Sequence, residues 1–250
     1  MKVVGVIPAR YKSSRFPGKP LVLLNGVPMI IRVARIVEKA LGIQNTYVAT
    51  DSIEIKKKVE EYGYNAVLTS EHCLTGTDRV YDFSKKIDAD IYINVQGDEP
   101  LLDYRDILKF IDAKKKNFNF VINGMCSISK DENPQSVNIP KVVVNNNNNL
   151  IYMSRLPIPG CKDAIINNSK IYKKQVCIYA FNRFELEQFG LQSEKSEFEK
   201  FEDIEILRFF DLNIPIKMIE TEGSSLAVDV TDDVKKVEEV LLKYEKKHEF

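Results

Sequence analysis

Residues 2–8 are apolar and largely β-branched, and from Pro28 onward the apolar positions take up the three-and-four spacing of a helix that ends near Gly42. This pattern predicts a strand, a loop and a helix. Residues 46–50 read as a second strand, with Asp51 and Ser52 as caps for a lysine- and glutamate-rich helix over 53–62. Residues 65–68 form a short strand and 78–87 a helix, with Thr77 as its N-cap. A buried strand at 90–95 runs into the polar turn Gln96-Gly97-Asp98-Glu99-Pro100, and 107–116 is helical again. Such alternation predicts an α/β fold with a mostly parallel sheet covered on both faces.

After residue 116 the pattern turns β-rich, with apolar runs at 121–127, 140–144, 150–154 and 175–181, so a smaller β-rich arm is expected at about 121–182 of a single domain spanning 1–250. Asn145 to Asn149 separate two of these runs, and asparagine tolerates left-handed turn geometry, which predicts an exposed hairpin loop. An amphipathic helix is expected over 198–211 and a strand over 216–220. Val234, Val237, Val240, Leu241 and Tyr244 form an apolar stripe on a charged C-terminal helix.

At 250 residues the chain can bury one substantial core. Lys+Arg and Asp+Glu both number 36, so no global field recruits nucleic acid or an anionic membrane. Any functional cations must be local. Cys73, Cys126, Cys161 and Cys177 lie far apart, with only His72 and His248 to help them, which argues against structural zinc. A strand-like run directly after Met1, without a long apolar stretch, leads us to expect neither signal peptide nor membrane span, and a soluble protein of the reducing cytoplasm.

The loop after the first strand carries Arg10, Lys12, Arg15 and Lys19, with Pro8, Pro17, Gly18 and Pro20 preventing regular structure. Cations at a strand end suit a polyphosphate, although a merely solvated loop has the same composition. Its spacing is not that of a Walker loop. Thr75-Gly76-Thr77-Asp78-Arg79 suits contact with a base, ribose or sugar acid, and equally suits helix capping. Asp98, at the end of an apolar strand, is a candidate Mg²⁺ ligand, because that ion takes few protein carboxylates and completes its octahedron with water and phosphate oxygens. A turn-capping role is the alternative. Asp229 follows another short apolar run and is the natural second carboxylate, whereas Asp232 and Asp233 suit a helix N-terminus.

Taken together, Gly5-Val6-Ile7-Pro8-Ala9-Arg10, Arg15-Phe16-Pro17-Gly18-Lys19-Pro20-Leu21, Val48-Ala49-Thr50-Asp51, Gly76-Thr77-Asp78-Arg79 and Val95-Gln96-Gly97-Asp98-Glu99-Pro100 closely resemble the 3-deoxy-manno-octulosonate (Kdo) cytidylyltransferases, or CMP-Kdo synthetases. Pro140-Lys141-Val142-Val143, Tyr152-Met153-Ser154-Arg155, Ile178-Tyr179 and residues 202–208 extend the resemblance over nearly the whole chain. It implies a Rossmann-like nucleotidyltransferase whose β-rich arm completes a homodimer. The implied reaction is Mg²⁺-dependent transfer of CMP from CTP to the C2 hydroxyl of an acidic sugar, with loss of pyrophosphate, for lipopolysaccharide or capsule. By resemblance, Arg10, Lys19 and Asp98 are catalytic, Ala9, Ser14, Arg15, Thr75 and Gly76 hold the nucleotide, and Asp98 and Asp229 hold the metal. Arg79, Gln96, Arg155, Gln175, Tyr179, Glu202 and Glu205 fall at substrate positions.

Three departures affect the sugar end. Gln175 stands where the family usually has a histidine, Ile206 replaces a glutamine, and Val230-Thr231-Asp232-Asp233 lacks the usual proline. A lost hydrogen-bonding group can change acceptor choice by orders of magnitude. An amino-substituted octulosonate, another acidic sugar, a non-sugar acceptor and a catalytically silent nucleotide-binding homologue therefore remain alternatives.

Overall fold

The computed structural model describes residues 1–12, 16–129, 132–160, 162, 171–221, 226–228 and 230–248. The first half runs β1 (Val3–Ala9), β2 (Leu23–Leu24), β3 (Val27–Pro28), α1 (Met29–Leu41), β4 (Thr46–Thr50), α2 (Ile53–Glu61), β5 (Asn65–Leu68), α3 (Gly76–Ser84), β6 (Ile91–Val95) and α4 (Tyr104–Lys116). The second half runs β7 (Val121–Ser127), β8 (Lys141–Val144), β9 (Leu150–Ser154), β10 (Lys173–Asn182), α5 (Arg183–Gly190), α6 (Glu197–Glu202), α7 (Leu207–Asp211), β11 (Ile216–Glu220) and α8 (Thr231–His248).

Helix starts follow side-chain caps. Ser52 Oγ accepts from the Ile55 N–H at 3.3 Å at the head of α2. Asp103 Oδ1 accepts from the Arg105 N–H at 2.9 Å, so α4 begins a turn earlier than its apolar spacing suggests. The expected cap of α3, Thr77, is corrected to Thr75. Its Oγ1 accepts from the Asp78 N–H at 3.2 Å while Asp78 Oδ2 accepts from the Thr75 N–H at 2.9 Å, a reciprocal box that fixes the turn. The single helix expected over 198–211 is broken into α6 and α7. Asp203 adopts a left-handed conformation (φ 49°) at the break, and the turn after it buries Ile204, Ile206 and Leu207 while aiming Glu205 inward.

The main sheet has the order β11-β7-β10-β6-β1-β4-β5. Neighbouring strands are parallel except at β10, which is antiparallel to both β6 and β7. The expected mostly parallel α/β sheet is therefore present. The β-rich insertion is narrower than 121–182, because β7 and β10 belong to the main sheet and only β8 and β9 extend from it as a ladder on β10. Asn145 to Asn149 form the hairpin loop, with Asn148 at φ 57° and Asn145 Oδ1 accepting from the N–H groups of Asn147 and Asn149.

Strand alternation divides the core. Ile7, Ile93, Val95, Ile122, Ile178 and Ala180 pack beneath α1, α2 and α4. On the opposite face Val6, Tyr92, Met125, Tyr179 and Phe181 pack against α3, α5 and α7. A third, smaller cluster of Leu24, Met29, Val228, Val237 and Leu241 seats α8 against the β2–β3 hairpin.

Lys114 is fully buried beside Glu185, with Nζ 2.6 Å from both carboxylate oxygens and donating to the Phe118 and Phe120 carbonyls. Burial pushes the Lys114 ammonium down to about 8 and the Glu185 carboxyl upward, so desolvation outweighs their attraction. Lys114→Met, which strands the carboxylate, is expected to cost ~3–5 kcal/mol in urea unfolding. The double change Lys114→Met, Glu185→Leu is expected to recover most of that loss. Equal destabilisation of both variants would show that the pair is not the source.

Candidate active site

Ala9 and Thr50 are register partners at the carboxyl ends of β1 and β4, and Val95 ends β6 beside them. The segments leaving these strands therefore converge on one edge of the sheet, the usual ligand edge of parallel α/β folds. Ala9 leads to Arg10, Thr50 to Asp51, and Val95 to the Gln96–Pro100 turn.

The cationic loop is pinched at its base, where the Gly18 N–H donates to the Tyr11 carbonyl at 3.0 Å. Gly18 sits at φ 70°, a conformation that a Cβ would strain. The chain then enters a short 3-10 turn, Lys19–Leu21, which turns Lys19 inward. Its Nζ lies 2.5 Å from Asp98 Oδ2 and 3.0 Å from the Val228 carbonyl. The Val228 N–H in turn donates to the Asp98 carbonyl at 3.0 Å. Three segments distant in sequence thus meet around one ammonium. Its side chain is 17% exposed and that of Asp98 27%, so both partners remain reachable from solvent.

Arg10 and Tyr11 line a cleft of about 350 Å³ with Asp51, Glu54, Cys73 and Arg79. Arg10 is exposed, and Lys12 projects outward with Glu71 3.8 Å away. Ser14, Arg15 and Asp229 lie outside the described residues. The backbone of Val228 nevertheless brings the chain to Asp98 one residue before Asp229. Among the described residues no group of three or more histidine, cysteine, aspartate or glutamate side chains is placed to hold a metal. Asp98 is a hard oxygen donor reachable from solvent, the type of ligand taken by an ion that binds one or two carboxylates and otherwise water and phosphate oxygens.

Arg79 is more structural than its expected substrate role suggests. It is buried, with Nη2 3.0 Å from Asp51 Oδ2 and Nη1 2.7 Å from Thr69 Oγ1, leaving one edge on the cleft. Asp51, expected as a helix cap, instead pairs with Arg79 and accepts weakly from the Tyr11 N–H at 3.4 Å. Arg155 and Glu202 brace each other. The Arg155 N–H donates to Glu202 Oε2 at 2.8 Å, and its guanidinium donates to the carbonyls of Val137, Glu202 and Asp203. This brace ties β9 to the α6–α7 break.

A second polar group lies on the α3 side of the sheet. Gly76 abuts the Gln96 amide, with which an added Cβ would collide at 2.9 Å. Glu205 accepts from the Thr77 N–H at 3.1 Å and from Gln96 Nε2 at 3.4 Å. Gln175 Nε2 donates to Asn123 Oδ1 at 3.0 Å and to the Tyr179 hydroxyl at 3.4 Å. Of the residues expected at substrate positions, Gln96, Gln175, Tyr179 and Glu205 lie close together, while Arg155 and Glu202 form a separate brace. Burial pushes the Tyr179 hydroxyl and the Cys177 thiol well above their ordinary values, reinforced at Cys177 by Glu99, Asp98 and Glu205.

Arg208, which sequence reading noted only as part of a motif, anchors this region. Fully buried and stacked 3.7 Å over the Phe189 ring, it pairs with Asp78 through Nη1 at 2.7 Å and with Glu199 through Nε at 2.7 Å. The Asp78 that boxes the head of α3 is therefore held by the segment carrying Glu205. Asn123 was likewise missed; its signal is an amide inside the apolar run from Val121 to Cys126.

Residues 4–217 match the family model described as Cytidylyltransferase. The 3-deoxy-manno-octulosonate cytidylyltransferase of Escherichia coli is 36% identical over 239 residues, covering 94% of this chain and 94% of that protein. An 8-amino-3,8-dideoxy-manno-octulosonate cytidylyltransferase of Shewanella baltica (strain OS185) is 36% identical over 247 residues, covering 96% of this chain and 99% of that protein. Among solved structures, the CMP:2-keto-3-deoxy-manno-octonic acid synthetase complexed with CTP superposes with TM-score 0.89 and 34% identity, over 98% of this chain and 100% of that one.

Burial raises the Glu205 carboxyl above its ordinary value of 4.5, against the pull of the Thr77 N–H. The folded state therefore holds this proton more tightly than the unfolded chain. The resulting stabilisation is full below 4.5 and is lost as pH rises through the folded value. Glu205→Gln keeps an acceptor for Thr77 and removes the buried charge. Its urea midpoint is expected to exceed that of the wild type at pH 8, with the gap closing toward pH 4.5. A gap independent of pH would show that ionisation of Glu205 is not the cause.

Proposed function

The chain belongs to the cytidylyltransferase family, among the CMP-Kdo synthetases, and from that premise we propose that it transfers CMP from CTP to the C2 hydroxyl of a 3-deoxy-2-ulosonic acid in a Mg²⁺-dependent reaction. Kdo and its 8-amino analogue both stand as acceptors, because relatives named for each are equally similar to this chain. The product is an activated sugar of the kind that lipopolysaccharide or capsule assembly consumes.

The observation that carries this reading is the junction of Lys19, Asp98 and Val228 at the ligand edge of the sheet. Without ligand, ammonium and carboxylate neutralise each other. With CTP present, Lys19 Nζ is free to donate to phosphate oxygens and Asp98 is released for a cation, so one internal pair is exchanged for two external ones. Asp98, with Asp229 as second ligand, would hold Mg²⁺, which supplies charge neutralisation on the phosphates and lowers the pKa of a nearby hydroxyl.

The residues position and stabilise more than they react. The acceptor oxygen forms a bond to the α-phosphorus as the bond to the bridging oxygen of pyrophosphate breaks, and the hydroxyl proton is lost to solvent. Lys19 and Arg10 offset charge developing on the phosphate oxygens and the leaving group. Gln96, Glu205, Gln175 and Tyr179 present hydrogen-bonding groups to the polyol.

A homodimer is part of the proposal. Ile151 and Leu156 are exposed at and just after β9, near Tyr152, whose ring meets Phe198 at 5.8 Å; on α6, Phe201 is 88% exposed. These exposed apolar side chains, in and just after β9 and on the helix that packs on it, are the surface offered to a second copy. Sedimentation at micromolar protein is expected to give twice the chain mass, and a monomer would remove this element.

Pyrophosphate release should require CTP, Mg²⁺ and an octulosonate together. Asp98→Asn and Lys19→Met are each expected to lower kcat by roughly 10²–10³, the usual cost of removing an electrostatic contact to the transition state. Near wild-type turnover by Asp98→Asn at ordinary magnesium would refute the metal assignment. No pyrophosphate from the wild type with any acidic sugar would favour a silent homologue.

A further inference from the structure

Strand alternation places Asn94 and Gln96 of the β6 end, Asn123 of β7, and Gln175, Cys177 and Tyr179 of β10 on the α3 face of the sheet. Asn123 is the deepest amide with defined partners, being 0% exposed. It sits where the β7–β10 register shifts between Val176 and Tyr179, and fills the irregularity. Its Nδ2 donates to the Val176 carbonyl at 3.1 Å and the Ile178 carbonyl at 2.9 Å. Carbonyl oxygens only accept, so these two contacts determine which end of the Asn123 amide is nitrogen.

The orientation propagates. Asn123 must present Oδ1 to Gln175, an oxygen there requires a donor, and Gln175 must therefore present Nε2, as it does at 3.0 Å. The second proton on Nε2 reaches the Tyr179 hydroxyl at 3.4 Å. Both Gln175 donors are consumed, while its Oε1 has no hydrogen-bond partner among the described residues. Gln175 is only half-buried.

We propose that Asn123 is a positioning residue that locks the Gln175 amide with its oxygen toward the acceptor sugar, so that Gln175 selects a sugar group that donates a hydrogen bond. The inference rests on the octulosonate reading above and extends it to the chemistry of one acceptor contact, with a hydroxyl or an ammonium as the group read. A residue able to rotate between donor and acceptor would not discriminate. Gln175 cannot rotate, because rotation would set two oxygens against each other at Asn123.

The test is a double-mutant cycle on the full-length enzyme with CTP, Mg²⁺ and Kdo or 8-amino-Kdo, followed by pyrophosphate release. Gln175→Leu is expected to raise the acceptor KM about tenfold, equivalent to one hydrogen bond to a polar partner. Asn123→Leu is expected to raise it by a similar factor, with the KM for CTP within about twofold of wild type in both. The double variant is expected to match either single variant, because the two residues act through one contact. Calorimetric CTP binding identifies variants that remain folded. If Asn123→Leu does not fold, Gln175→Leu alone decides. An unchanged acceptor KM in Gln175→Leu, multiplicative losses in the double variant, or equal losses for CTP and sugar would overturn the inference while leaving the transfer reaction standing. No turnover by the wild type with either sugar would remove the functional reading and the inference with it.

Discussion

The ligand edge of this molecule depends on the contact between Lys19 and Asp98. An ammonium and a carboxylate from segments 79 residues apart meet at 2.5 Å, and the ammonium cannot move away without also losing the Val228 carbonyl. Through that carbonyl, and through the Val228 N–H to Asp98, the segment leading into α8 is tied to the end of β6. The small cluster of Leu24, Met29, Val228, Val237 and Leu241 then has a helix to seat against. Asn25 completes the attachment, its N–H donating to Glu238 Oε1 at 2.8 Å. The cationic loop, the Gln96–Pro100 turn and the C-terminal helix are therefore one mechanical unit rather than three neighbouring features.

The polar cluster on the α3 side of the sheet is built on a different principle. There, buried polar groups satisfy one another across elements, and each fixes the orientation of the next. Arg208 holds Asp78, Asp78 holds the head of α3, and the Thr77 N–H at that head meets Glu205. Asn123, Gln175 and Tyr179 form a second chain of contacts on the same face. The cost of leaving any member unpaired fixes the geometry of such networks, and accounts for how a sheet of ordinary apolar strands can carry an ordered polar surface.

Much of the fold was legible from spacing. The strand at 46–50, the helix capped by Ser52 and the asparagine hairpin arise from local preference, and tertiary contacts reinforce each of them. The helix expected over 198–211 was not, because its break depends on Arg155, some 47 residues away, holding Glu202 and the Asp203 carbonyl. Nor was the inclusion of β7 and β10 in the main sheet, since a β-rich run does not announce which strands it will join. At the site, cations and Asp98 could be found as residue types after strands, but the partner of each could not.

The sequence alone determined the alternation of strands and helices, the placing of Lys19, Gly76, Gln96 and Asp98 just beyond strand ends or at helix heads, and the membership of the family, because these depend on residue order over short spans. Tertiary structure decided that Arg79 would be committed to Asp51, that Asn123 would orient Gln175, and that Arg208 would anchor the head of α3. The physical reason is one of range. Backbone preference and hydrophobic period act over a few residues, whereas a buried charge or amide is decided by whichever partner the folded chain brings within about 3 Å.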